Sequence, residues 1–260
     1  MASPNDTRTT RSPEPERPTT YLGLTRTGTY GFLSALPLIL LYEVLIISAN
    51  RGRSGEIRVS SEVWLKEILA SMGLQSLHLL AGIVLVIGFG IVIYERQKKI
   101  PIRIRYFAGI LIESSLYAVL VAMLVSEIVW RIFDPQLLPP NMILQDAVPD
   151  LWTQIALSIG AGIYEELLFR VIVVGGVYLF LHALLGFKSV AYLVAAVSGA
   201  LLFSFVHYIG PLGDPFTMTS FTFRFLFGLA LNILYLTRGF GVAAWTHALY
   251  DVMIVTHLLG

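Results

Sequence analysis

Long apolar runs that carry almost no charge are the feature that most constrains this chain. Charged residues make up only 13% of its 260 residues, and most of them fall in three segments, 1–28, 51–67 and 95–105. The remaining stretches approach the roughly 20 apolar residues that an α-helix needs to cross a bilayer. Because lipid offers no partner for unpaired backbone groups, such stretches must be helical. The sequence therefore predicts an all-α fold, a polytopic membrane helical bundle.

The apolar runs predict about eight spans. Their positions are 30–49, 76–94, 106–129, 150–170, 171–185, 190–208, 221–236 and 242–259. Residues 61–72 place apolar side chains between charges, which is typical of an amphipathic helix in the membrane interface. Residues 1–28, rich in Pro, Thr, Arg and Glu, are predicted to be a disordered tail. Two membrane regions follow, one at 29–149 without an assignable motif and one at 150–260 that carries the candidate chemistry.

The charge distribution also indicates orientation and partners. Residues 95–105 contain five basic residues and one acidic residue, so the positive-inside rule places them in the cytoplasm. Two spans precede this cluster, which places the N-terminal tail of this multi-pass cell-membrane protein in the cytoplasm too. A net charge of +1 without a basic stripe gives no reason to expect a nucleic acid partner. The absence of Cys excludes a disulfide scaffold and a thiol nucleophile.

Ionisable residues within the spans indicate where function lies, because each costs at least about 2.5–3.5 kcal/mol to insert. The first group is Glu165, Glu166 and Arg170. On a helix Glu166 and Arg170 are i,i+4 neighbours that can pair, whereas Glu165 points about 100° away and lacks that partner. Glu165 is therefore predicted to face a cavity, where a carboxylate can act as a general base. A simple Glu–Arg pair at a helix end is the structural alternative.

Two further groups lie on later spans. His207 ends one span, and His247 and Asp251 are four residues apart on the last span, hence on one helix face. Together with Glu165 they could cleave an acyl bond: Glu165 deprotonates a water that His207 orients, while His247 and Asp251 stabilise the oxyanion. Alternatively, a divalent metal ion such as Zn²⁺, held by Glu165, His207 and His247, acidifies the water. The sequence contains no His-Glu-x-x-His and no Gly-x-Ser-x-Gly motif.

The order of these groups resembles a known family. Glu-Glu-x-x-x-Arg, then Phe-x-x-x-His, then His-x-x-x-Asp, over roughly 155–255, is similar to the CPBP family (CAAX protease and bacteriocin-processing, also called Abi) of intramembrane proteases, which includes type II CAAX prenyl endopeptidases. The resemblance implies that Glu165 activates water with His207, that His247 and Asp251 form the oxyanion side, and that Glu166 and Arg170 support them. Asp251 departs from the pattern, since the family's last motif often ends in Asn.

The sequence therefore predicts an intramembrane endopeptidase, glutamate- or metal-dependent, that acts on a membrane-associated peptide or protein, with C-terminal processing of CAAX-like or sorting-tail proteins as the implied task. The alternatives are a non-catalytic membrane immunity or scaffold protein and an ion pathway that uses the carboxylates as a relay. The protease hypothesis requires His207, at the end of its span, to meet His247, near the start of a parallel span. Elsewhere, Asn232 is predicted to bond between helices and Arg224 to reach the lipid headgroups.

Overall fold

The computed structural model of the chain describes residues 20–52, 55–74, 79–133, 149–210 and 213–259. Every regular element within these ranges is a helix, which confirms the all-α prediction. The helices are α1 (Tyr21–Thr25), α2 (Gly28–Ala49), α3 (Ser60–Ser71), α4 (Leu79–Arg96), α5 (Ile104–Ile132), α6 (Leu151–Glu166), a π-helical segment (Leu167–Val174), α7 (Gly175–Leu185), α8 (Lys188–Val206), α9 (Met218–Arg238) and α10 (Phe240–Val255).

Six helical stretches in the described part of the chain are long and apolar enough to cross a membrane. They are α2, α4, α5, the continuous stretch Leu151–Leu185, α8 and α9, and α10 is a shorter apolar helix. The predicted spans 150–170 and 171–185 are thus one stretch, in which the π-helical segment joins α6 to α7. Gly175 and Gly176 do not end it, because in lipid a helix keeps its backbone hydrogen bonds even at glycine. Only Gly186, with a φ of 75°, ends the helix.

The N-terminal part of the described chain contains two elements outside the spans. The predicted amphipathic helix at 61–72 is α3, which contacts α4 and α6. Of the predicted disordered tail, residues 1–19 lie outside the described residues, and residues 20–28 form α1 and the start of α2. Leu24 of α1 is fully buried, and Arg238 at the end of α9 donates to the Leu22 carbonyl and to Thr25 Oγ1. These tertiary contacts explain why this part of the segment is folded.

Helix α10 lies at the centre of the bundle and contacts α2, α5, α6 and α9. Small residues allow its close approach to α6, since a Cβ added to Gly162 would lie 2.6 Å from the Ala244 carbonyl oxygen and from Ala248 Cβ. Such small-residue contacts are the usual way in which helices pack tightly in lipid. Gly162 lies one turn before Glu165, and Ala248 follows His247. This contact therefore brings two of the candidate site residues together.

Helices α8 and α9 form the other side of the candidate site. The Asn232 side chain donates to the Ala196 carbonyl at 2.8 Å, which confirms its predicted role as a hydrogen bonder between helices. Nearer the other end of the pair, Ser204 Oγ donates to the Phe221 carbonyl at 2.7 Å. Helix α8 ends at Val206, and His207 follows as its C-cap residue. The two bonds fix the position of His207 relative to α9.

Candidate active site

A buried ion pair anchors the first group of predicted residues. Glu166 Oε1 lies 2.9 Å from Arg170 Nη1, and both side chains are almost fully buried. Arg170 also donates to the Gly228 carbonyl at 3.3 Å, and its guanidinium lies over the Phe203 ring. The i,i+4 pairing that the sequence predicts is therefore present, and it links α6 to α8 and α9. The carboxylate of the neighbouring Glu165 is not part of this ion pair.

Glu165 lies between the two predicted histidines. Its Oε2 is 4.0 Å from His207 Nε2 and 3.9 Å from His247 Nε2. These separations are too long for direct hydrogen bonds, and a polar separation of this size is the kind that a bridging water can fill. Glu165 thus faces two imidazole nitrogens from two other helices.

In both imidazole rings, Nδ1 is hydrogen-bonded to another group of the protein. His207 Nδ1 lies 2.7 Å from the Phe203 carbonyl, which can only accept, so Nδ1 carries the proton. His247 Nδ1 lies 2.8 Å from Glu166 Oε1 and donates to that carboxylate. Both rings consequently direct Nε2 towards Glu165. The hydrogen bonds at Nδ1 thus fix the orientation of each ring and leave Nε2 available for chemistry.

Asp251 completes the cluster. Its Oδ2 lies 3.5 Å from His247 Nε2, one turn further along α10. The His247 side chain is only 4% exposed, whereas those of Glu165, His207 and Asp251 are 14%, 26% and 27% exposed. His247 is therefore the buried member of the cluster, and the other three side chains are partly open to the surroundings. A peptide bond could approach the cluster past these three side chains.

The structure also shows how His207, at the end of its helix, comes close to His247, near the start of α10. Helix α10 begins at Phe240, two residues earlier than predicted, and its 16 residues make it shorter than α8. The Phe203 ring contacts both imidazoles, at centroid distances of 5.0 Å to His207 and 5.9 Å to His247. The two histidines therefore contact the same aromatic ring, and both lie about 4 Å from Glu165.

Sequence reasoning missed two features of the site. It did not find the Glu166–His247 hydrogen bond, which joins residues 81 positions apart. It also did not find the partners of Arg224, which donates to Ser220 Oγ at 2.9 Å and forms an ion pair with Asp214. Asp214 thus lies against α9, and no spacing rule in the sequence indicates this contact.

The predicted metal set can be compared with the geometry that zinc requires. Glu165, His207 and His247 offer suitable donor atoms, but the described ranges contain no group of three such side chains arranged to hold a metal ion. The separations of 3.9 and 4.0 Å around Glu165 Oε2 exceed the roughly 3.4 Å that tetrahedral bonds of about 2.1 Å imply. The chemistry below is therefore assigned to the side chains alone.

Comparison with known proteins shows which family the second half of the chain is similar to. Residues 147–253 match the family described as type II CAAX prenyl endopeptidase Rce1-like. No curated protein and no solved structure matches the chain. The matched region runs from just before α6 into α10 and includes the whole cluster around Glu165. Residues 147–253 are therefore similar to the Rce1-like family of type II CAAX prenyl endopeptidases, in agreement with the CPBP resemblance of the motifs they contain.

Proposed function

We propose that the protein is an intramembrane endopeptidase that hydrolyses a peptide bond of a membrane-associated substrate with a water activated by Glu165. The observation that carries the proposal is the position of the Glu165 carboxylate, about 4 Å from two imidazole nitrogens that both face it. Its substrate class is C-terminal segments of CAAX-like or sorting-tail proteins, in keeping with the name of the family that residues 147–253 match.

The water step uses Glu165 and His207. A water between Glu165 Oε2 and His207 Nε2 can donate one hydrogen to the carboxylate and the other to the imidazole. As the water oxygen attacks the carbonyl carbon, Glu165 takes its proton and later delivers it to the leaving amine. A positioned general base of this kind contributes about 10²- to 10⁴-fold to the rate.

The oxyanion step uses His247 and Asp251. With the Glu166 carboxylate at Nδ1, a protonated His247 has a counter-charge beside it, and its Nε2–H can donate to the developing oxyanion. An ionised Asp251 would repel that oxyanion, so we assign Asp251 a proton that it donates. The protonated carboxylic acid then replaces the amide donor of the Asn that often occupies this position in the family.

This assignment predicts opposite outcomes for two substitutions of Asp251. Asp251→Asn keeps a donor at the same place and is expected to leave kcat/KM within about threefold, whereas Asp251→Ala removes it and is expected to lower kcat by about 10²-fold or more. Initial rates for the purified variants at matched folded concentration test this. A larger loss for Asn than for Ala would contradict the donor role.

The test of the proposed function uses purified protein in detergent micelles and a farnesylated peptide with a CAAX-type C-terminus as the probe. Cleavage is followed by mass spectrometry for the wild type and for His207→Ala and His247→Ala, which are expected to lose at least about 10²-fold in rate. A non-catalytic scaffold would show no difference among the three.

Because no metal is used in this mechanism, EDTA should not lower the rate of cleavage. Inhibition by EDTA that Zn²⁺ reverses would contradict the metal-free assignment.

The orientation of the protein is a further part of the proposal. The five basic residues of 95–105 support a cytoplasmic position for the α4–α5 connection and, two spans earlier, for the N-terminus of a cell-membrane protein. Since the chain has no Cys, single-cysteine labelling has no background. We expect Lys98→Cys in intact cells to resist an impermeant maleimide that labels Glu67→Cys. Labelling of Lys98→Cys in intact cells would reverse the orientation.

A further inference from the structure

A partly exposed cation, Arg224, lies beside the candidate active site and is not used by the mechanism above. It is on the second turn of α9, where its guanidinium donates to Ser220 Oγ at 2.9 Å, pairs with the Asp214 carboxylate and lies 5.1 Å from the centre of the Tyr208 ring. Tyr208 directly follows His207. Arg224 thus contacts Tyr208 and Asp214, two residues that closely follow His207 in the chain.

A backbone contact places the Arg224–Asp214 pair near His207, whose side chain is 26% exposed. The backbone N–H of Asp214 donates to the His207 carbonyl at 2.9 Å, so the residue that pairs with Arg224 is in backbone contact with His207. A substrate that reaches Glu165 past His207 therefore comes near this guanidinium.

The Asp214 carboxylate that pairs with Arg224 can be displaced by the carboxylate of a ligand. The Asp214 side chain is 53% exposed and that of Arg224 is 24% exposed, and ion pairs of such exposure are weak. Arg170, the other arginine at the site, is 1% exposed and committed to the buried carboxylate of Glu166. Of these two cations, Arg224 is therefore the one that a ligand can reach without dismantling the core.

We propose that Arg224 binds a carboxylate of the peptide substrate, in the position that the Asp214 carboxylate occupies in the structure. This inference rests on the proposed endopeptidase function and adds a specificity-determining residue to it. A guanidinium presents two parallel N–H groups that match a carboxylate, which gives both affinity and a fixed geometry. A peptide can supply that carboxylate from its C-terminus or from an Asp or Glu side chain. Anchoring it at Arg224 determines which peptide bond lies over Glu165.

The experiment compares three farnesylated CAAX-type peptides that differ only at the end: the free acid, its C-terminal amide, and the amide with Asp as the last residue. We expect the amide to show a KM about tenfold higher than the free acid with kcat within about twofold, as for the loss of one charge-assisted hydrogen-bonded pair. Better binding of the Asp-ended amide than of the plain amide would identify a side-chain carboxylate as a second source.

Variants of Arg224 separate recognition from structure. Arg224→Gln should raise the KM of the free acid to that of the amide and should have no further effect on the amide, and Arg224→Lys should restore part of the difference. Asp214→Asn removes the competing anion and should lower the KM of the free acid. Arg131→Gln, which breaks an exposed pair with Glu127 on α5, serves as the matched control. It should leave the KM of both peptides unchanged.

Two results would overturn the proposal. The first is equal KM for the free acid and the amide with the wild-type protein. The second is an equal loss with Arg224→Gln for both peptides, because that indicates a structural role. Binding of the free acid and the amide to the Glu165→Gln protein gives the same comparison without turnover. If Glu165-dependent cleavage is absent, the proposed function fails; if it is present while amidation has no effect, only the role of Arg224 fails.

Discussion

Glu165→Gln is expected to lower kcat by about 10²- to 10⁴-fold while leaving the yield of folded protein unchanged. The amide has the shape of the carboxylate but cannot take a proton from water. The Glu165 side chain is partly exposed, and the imidazole nitrogens that face it lie at 3.9 and 4.0 Å. The substitution therefore breaks no short hydrogen bond. Rates are compared at equal concentrations of folded protein, with KM expected to change little.

The neighbouring Glu166 provides the matched control for this substitution. Glu166→Gln makes the same chemical change one residue later, but there it removes the counter-charge of Arg170 and the acceptor of His247. We expect it to lower stability as well as activity. If Glu165→Gln retained activity while Glu166→Gln kept full stability and lost only catalysis, the assignment of the two carboxylates would have to be exchanged.

Arg170→Met is expected to cause a large loss of stability. It leaves the Glu166 carboxylate buried without a cation and removes the bond to the Gly228 carbonyl and the contact with the Phe203 ring. Breaking a buried ion pair by removing one partner typically costs about 3–5 kcal/mol. The free energy of unfolding, measured by denaturant titration in micelles, gives the value.

Arg131→Met is the control for that measurement. Arg131 also forms an i,i+4 pair, with Glu127, but the side chains of both residues are exposed, at 76% and 55%. Exposed pairs contribute about 0.2–1 kcal/mol, so its loss should be small. The double substitution Glu166→Gln with Arg170→Met should recover part of the stability, because it leaves no unpaired buried charge. Equal effects of Arg170→Met and Arg131→Met would contradict the structural role of the buried pair.

Local spacing allowed part of the site to be predicted from the sequence. The i,i+4 rule paired Glu166 with Arg170 and left Glu165 free, and four-residue spacing placed His247 and Asp251 on one face. These predictions succeeded because a helix fixes the relative positions of residues within one or two turns. The bond between Glu166 and His247 could not be predicted in the same way. It depends on the close packing of α6 and α10 at Gly162, which only the tertiary structure reveals.

The fold was predictable to a similar extent. Hydropathy located the spans to within a few residues, because lipid imposes length and apolarity directly. It did not find that residues 20–28 are folded, since this depends on Arg238, more than 200 positions away, and on the pair that Arg238 forms with Glu113. Nor did it join 150–170 to 171–185, because glycine signals in the sequence are ambiguous inside a membrane helix.

The most direct measurement of the central claim is cleavage of the farnesylated peptide in water enriched in oxygen-18, with wild-type protein and Glu165→Gln in parallel. If Glu165 activates a water, the wild type should form a product whose new carboxylate carries one oxygen-18 atom, and the variant should form at least about 10²-fold less of it. Equal formation of the labelled product by both proteins, or an unlabelled product from the wild type, would contradict the account.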